Sequence, residues 1–111
     1  MRPLDQLEAT IAERKAAADA GTSYTARLLA GGVPKIGAKV AEEAAEVVEA
    51  AAEPGEAGRA HTIAEAGDVL YHLLVLLAVR DVTLAEVEAE IARRFGMSGL
   101  EEKASRTRSP D

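Results

Sequence analysis

The chain has 111 residues, the size of one ordinary domain, and carries a formal net charge of −6. That acidity excludes broad nucleic-acid affinity, which rests on Lys and Arg against phosphates, but it permits one anionic metabolite held by a local basic cluster or a metal. There is no cysteine, hence no disulfide framework and no thiol chemistry.

Met1 to Asp5 lacks a charged segment followed by an apolar one, so no signal peptide is expected. Proline suits a first helical turn, and Pro3 starts a predicted helix whose apolar stripe is Leu4, Leu7 and Ile11 and which fades before Gly21. The hydroxyls of Thr22, Ser23 and Thr25 offer caps for a short helix through Leu28 and Leu29. Gly31-Gly32-Val33-Pro34 reads as a loop. A long helix follows from Ile36 to Ala52. Ile36, Val40, Ala44, Val47 and Ala51 fall on one side of it; Lys39, Glu42, Glu43, Glu46 and Glu49 fall on the other. Glu43 lies at the border of the apolar face, where a carboxylate points into a cleft between helices, and Glu42 and Glu49 lie further out.

Glu53-Pro54-Gly55-Glu56 ends that helix, and the next is predicted over Arg59 to Val79. Its second half, Val69 to Val79, is apolar almost all round and is expected to meet a second subunit as well as its own core. Much of the chain's apolar content is Ala, and only Tyr24, Tyr71 and Phe95 are aromatic, so a lone subunit would have a thin core that oligomerisation would remedy. The Val69–Val79 run is interrupted by His72 and is too short to span a bilayer, so a soluble cytoplasmic protein without membrane contact is expected. After the break at Arg80-Asp81-Val82, Thr83 and Glu86 form a capping-box pattern. The last predicted helix sends Leu84, Val87 and Ile91 toward the core and ends near Gly96. A polar, partly basic tail over 97–111 is expected to be mobile. With no strand pattern and no repeat, the reading is one all-α bundle of four to five helices over residues 1–96.

Two acidic pairs stand out. Glu43 with Glu46, and Glu65 with Asp68, have i, i+3 spacing, which puts both members on one helix face. Taken singly, such pairs are ordinary solvated features. Together, beside the most apolar parts of two helices joined by a short connection, they would face each other and repel unless a cation sat between them. An oxygen-only set suits a hard divalent ion, Mg²⁺ first; two solvated acidic faces are the competing reading. His72 is placed on the side of Asp68, either to orient it or contact substrate, or as a histidine satisfied in the core or a subunit interface. His61 reads as isolated and solvated, and Tyr71 as a core or interface residue with a satisfied hydroxyl. Gly31-Gly32 is not a Walker loop.

These residues also carry a resemblance. Ser23-Tyr24-Thr25 with Leu28-Leu29, the segment Gly32 to Ile36, the segment Lys39 to Val48, and the block Glu65 to Leu77 together resemble the phosphoribosyl-ATP pyrophosphohydrolase family from about Leu4 to Arg94. The two acidic pairs are shared by all MazG-like all-α nucleotide pyrophosphohydrolases. The Ser23–Thr25 and Leu70–Leu77 blocks are those of the histidine-pathway member. Gly67 departs from the family's usual alanine, which lowers helix propensity but lets another backbone approach.

The resemblance implies a Mg²⁺-dependent homodimer, or dimer of dimers, that hydrolyses phosphoribosyl-ATP between its α and β phosphates. The products are phosphoribosyl-AMP and pyrophosphate, and the reaction is the second step of L-histidine biosynthesis. The chain's length leaves no room for the cyclohydrolase fused to this domain in some organisms, so the enzyme is expected to stand alone. By the same resemblance Glu43, Glu46, Glu65 and Asp68 would hold the metal. Glu42 would take the water's proton, hydrogen-bond a metal-bound water, or simply be solvated. Lys39 would meet a phosphate, unless it merely pairs with Glu43, and Lys35, Arg14 and Arg27 are weaker phosphate candidates. Ser23, Tyr24 and Thr25 would help form the substrate pocket. Two alternatives stay open: a house-cleaning nucleoside triphosphate pyrophosphohydrolase of the same fold, and a non-catalytic helical dimerisation module.

Overall fold

Local chemistry sets the helix boundaries in the computed structural model, which describes residues 1–17, 21, 23–96, 99 and 103. Four helices follow one another: α1 (Pro3–Ala17), α2 (Tyr24–Ala51), α3 (Gly55–Val79) and α4 (Leu84–Arg94). No strand occurs among the described residues. The tail over 97–111 lies outside the described residues except for Gly99 and Lys103.

Helix α1 begins at Pro3, where the missing N–H costs nothing, and carries Asp5 in its first turn and Arg14 and Lys15 in its last, matching the helix dipole. Ser23 caps α2 from an extended backbone, its Oγ accepting from the Ala26 N–H at 2.9 Å. The loop expected at Gly31–Pro34 contracts to one residue. Gly32, with φ 71° and ψ −167°, breaks α2 into two helical segments, and Pro34 sits in the first turn of the second. That backbone region is almost closed to residues with a Cβ, so glycine is required. The chain reverses at Ala52–Pro54, and α3 starts at Gly55 (φ 74°), one turn earlier than the expected Arg59.

At the far end, the Lys15 ammonium donates to the Ala78 carbonyl at 2.6 Å and to Asp81 Oδ1 at 2.5 Å, tying the end of α1 to the last turn of α3. The predicted capping box closes on α4: Glu86 N–H donates to Thr83 Oγ1 at 3.1 Å and Thr83 N–H to Glu86 Oε1 at 2.9 Å. Glu8 of α1 accepts from the Leu84 N–H at 2.7 Å, satisfying another open donor of that helix end.

Helices α2 and α3 make the most extensive contact, as expected for consecutive helices joined by a tight turn, and α1 packs across both. The core is Ile11, Leu28, Ile36, Leu74 and Val75, flanked by Leu4, Leu7, Val40, Tyr71, Leu77 and Leu84 among others. On α2 the buried face includes Ala50, whereas Ala44 and Ala51 are exposed. Ile91 is half exposed, because α4 buries no residue fully. Ile63, Leu70 and Leu73 of α3 and Val48 of α2 are also exposed. As a whole, α3 has the length and apolar composition of a membrane-crossing helix, although the run Val69–Val79 alone does not. Glu65 and Asp68 interrupt it, and carboxylates are costly in hydrocarbon.

Candidate active site

The short α2–α3 turn brings the two acidic faces together. Glu43, Glu46 and Glu65, all half-buried, each place a carboxylate oxygen within 4.8 Å of the others. Glu43 Oε2 and Glu65 Oε2 are buried and have no hydrogen-bond donor. Carboxylate oxygens only accept, so these two buried oxygens call for a shared proton, a water or a cation. Glu43 registers the strain: its carboxyl is pushed up to about 7, first by burial, then by the hydrogen bond and charge of Glu46, then by the charge of Asp68 and contact with Glu65.

Asp68, one turn beyond Glu65 and exposed, does not bring an oxygen into the Glu43–Glu46–Glu65 group, although its charge is felt at Glu43. Glu42 points outward, with its side chain about half exposed at 53%, and pairs at 3.5 Å with Lys39. Lys39 therefore pairs with Glu42 and not with Glu43, which leaves Glu43 without a cationic neighbour of its own on α2. Lys35, Arg14 and Arg27 are exposed.

The Ser23–Thr25 block fastens the start of α2 to the middle of α3. The Ser23 hydroxyl is used as the helix cap. Tyr24 Oη lies 3.0 Å from His72 Nε2, and Thr25 Oγ1 is hydrogen-bonded to Tyr71 Oη. Tyr24 and Tyr71 stack with ring centroids 6.2 Å apart, and His72 meets both edge-on. His72 is buried, and its Nδ1 lies 2.9 Å from the Asp68 backbone carbonyl. A carbonyl accepts, so Nδ1 carries the hydrogen and Nε2 is left to accept from the Tyr24 hydroxyl. His72 thus holds the main chain at Asp68 and does not touch its carboxylate. Tyr71 fulfils the expectation of a satisfied hydroxyl.

His61 is exposed, as expected, but it is not isolated. Its Nδ1 lies 3.0 and 3.1 Å from the two oxygens of Glu53, and its Nε2 lies 3.3 Å from Glu65 Oε1. Its pKa is raised, chiefly by the hydrogen bond to Glu53, against the opposing effect of desolvation, with Glu65 adding to the rise. The i, i+4 spacing of His61 and Glu65 was a signal for half of this contact. Glu53, eight residues earlier and beyond a turn, gave no such signal.

Fold and site together define an all-α protein with a carboxylate cluster, competent for a hard cation, between two adjacent helices. The family model for phosphoribosyl-ATP pyrophosphohydrolase matches residues 4–95. A phosphoribosyl-ATP pyrophosphatase of Rhodopirellula baltica is 55% identical over 98% of this chain and 90% of its own length. Proteins of the same name from Dinoroseobacter shibae (58%, over 96% of this chain and all of the relative) and Paracoccus denitrificans (57%, over 93% and 92%) are similarly close. The chain belongs to the phosphoribosyl-ATP pyrophosphohydrolase family.

Proposed function

We propose that this protein hydrolyses phosphoribosyl-ATP to phosphoribosyl-AMP and pyrophosphate, the second step of L-histidine biosynthesis. The observation that carries the proposal is the Glu43–Glu46–Glu65 cluster with its two donorless buried oxygens, on a chain of this family. An all-oxygen set of this kind fits Mg²⁺, which prefers carboxylates and retained waters. Bound there, the ion would neutralise phosphate charge and lower the pKa of a coordinated water for attack at the α–β linkage.

Glu43, Glu46 and Glu65 would hold the ion, and Asp68 would complete the set from α3. Glu43, whose carboxyl is pushed up to about 7, would give up its proton on holding a cation. Glu42, the adjacent carboxylate paired with Lys39, would accept a proton if Lys39 turned from it to a substrate phosphate. Lys35 is a second exposed cation for the phosphates. Tyr24 and Thr25, whose hydroxyls meet His72 and Tyr71, would help form the substrate pocket, with Ser23 fixing the start of that segment.

The assembly we infer is a cytoplasmic homodimer, itself free to pair. Ile63 and Leu70 are seven residues apart on one stripe of α3 and exposed by 58% and 42% in the single chain, which supports cover by a second copy.

The test is pyrophosphate release from phosphoribosyl-ATP, with and without Mg²⁺, beside a panel of ordinary and damaged nucleoside triphosphates. Mg²⁺-dependent turnover of phosphoribosyl-ATP alone is the expected result. Preference for a free triphosphate would move the protein to nucleotide house-cleaning, and no turnover at all would leave a helical dimerisation module.

A further inference from the structure

We propose that His61 is a positioning residue for the acidic cluster, clamping Glu65 between the α2–α3 turn and the site. The inference rests on the metal-site reading above and adds a residue to it. Its starting point is that the two oxygens of Glu65 have unlike surroundings: Oε1 faces His61 Nε2 at 3.3 Å, Oε2 is buried without a donor, and the carboxylate belongs to the group with Glu43 and Glu46.

A carboxylate in a cluster of like charges lowers its energy by rotating into water. Glu65 does not, although it stands on a helix whose neighbouring positions Ile63 and Ala64 are exposed; its side chain is only 16% accessible. The imidazole holds it by the outer oxygen and leaves the inner one in the cluster. The ring itself is held from behind, with Nδ1 within 3.0 and 3.1 Å of both Glu53 oxygens.

Glu53 is in turn fixed by its main chain. Its carbonyl sits so tightly on Gly58 that a Cβ at that position would lie 2.1 Å from the oxygen. Gly58, Glu53, His61 and Glu65 therefore form one continuous support running from the interhelical turn to the cluster. An oriented ligand binds a cation more tightly because less is spent on ordering it when the ion arrives, and loss of such outer partners typically weakens metal binding by about 10–100-fold.

Charge alone predicts the opposite sign. An imidazolium beside the carboxylates repels a cation, so removing it would tighten binding if His61 acted only through its charge. The direction of the effect therefore separates the two roles.

The experiment is calorimetric titration of the intact protein with Mg²⁺, and with Mn²⁺ followed by electron paramagnetic resonance, for the natural sequence, His61→Ala, His61→Arg and Glu43→Gln. The expected result is a Kd raised about tenfold in His61→Ala, largely restored in His61→Arg, whose fork can donate to both Glu53 and Glu65, and no measurable binding in Glu43→Gln. Unchanged or tighter binding in His61→Ala, with Glu43→Gln still inactive toward metal, overturns the positioning role and leaves the metal site standing. Absence of binding in the natural sequence overturns the metal site itself, and the clamp with it. His61 is exposed, and matched thermal melts of the variants verify that each is folded.

Discussion

Glu43 concentrates the chemistry of this chain in one side chain. Its carboxyl moves from 4.5 to about 7 because burial and three acidic neighbours disfavour its charge. A folded-state pKa above the unfolded one means that the folded state binds more protons between those values. The associated stability is complete below about 4.5 and is lost as pH rises through about 7. Thermal melts of the metal-free protein should therefore show Tm falling between about pH 5 and pH 8, and Glu43→Gln should flatten that fall. Saturating Mg²⁺ should reverse it, since the ion favours the ionised form. Steady-state assays should show kcat reduced by about 100-fold or more in Glu43→Gln and in Asp68→Asn, with the helical circular-dichroism signal unchanged. Near-normal turnover in Asp68→Asn would restrict the ligand set to the three glutamates that already share a point. The sequence marked all four carboxylates by spacing. It did not rank them, because ranking depends on which rotamers fit the cleft between two helices.

At the scale of the element, the ends of helices were the most legible features. The Thr83–Glu86 box and the Ser23 cap are local hydrogen bonds between residues three apart, and the chain closes both as its sequence says. Gly31–Pro34 was legible as a break but not in its extent. Gly31, Val33 and Pro34 all stay in helical segments, and Gly32 alone takes the left-handed angle. Gly32→Ala should therefore destabilise the fold by on the order of 1–3 kcal/mol in urea unfolding, through backbone strain alone. No side chain crowds the position, since the nearest atom to a Cβ there would be Pro34 Cδ at 3.9 Å. A loss well under this range would mean that α2 can straighten through the break at little expense. On α4 Leu84 packs against the core as expected. Helical periodicity identifies a face but not whether a neighbour covers it, and Ile91 remains half exposed.

For the whole molecule the thin core matters most. Five residues form its buried centre, and large apolar side chains on α3 face outward. The radius of gyration of 16.5 Å exceeds the roughly 13 Å of a compact single domain of this length. Both facts agree with a chain completed by a second copy. For the homodimer proposed above, Leu70→Glu should shift dimer to monomer in sedimentation velocity and lower Tm, because a charge would then lie in the proposed interface. A Leu70→Glu variant that still sediments as a dimer would exclude this stripe as the contact.

By itself the sequence read α2 as two helices parted by a loop, but it determined the all-α class, most of the helix ends and the pairing of carboxylates on α2 and α3. Each of these follows from interactions within a few residues: helical periodicity, capping and i, i+3 spacing. Only the tertiary structure decided which carboxylates share a point, that Lys39 answers to Glu42, that His72 holds the main chain at Asp68, and that His61 bridges Glu53 and Glu65. The Lys39–Glu42, His72–Asp68 and His61–Glu65 contacts lie within one helix at i, i+3 or i, i+4 spacing and were settled by side-chain rotamers, whereas the shared carboxylate point depends on how far the α2–α3 turn rotates one helix about the other. That rotation is fixed by Gly55, by the seat of Glu53 on Gly58 and by core packing, which are not written in the spacing of any one helix.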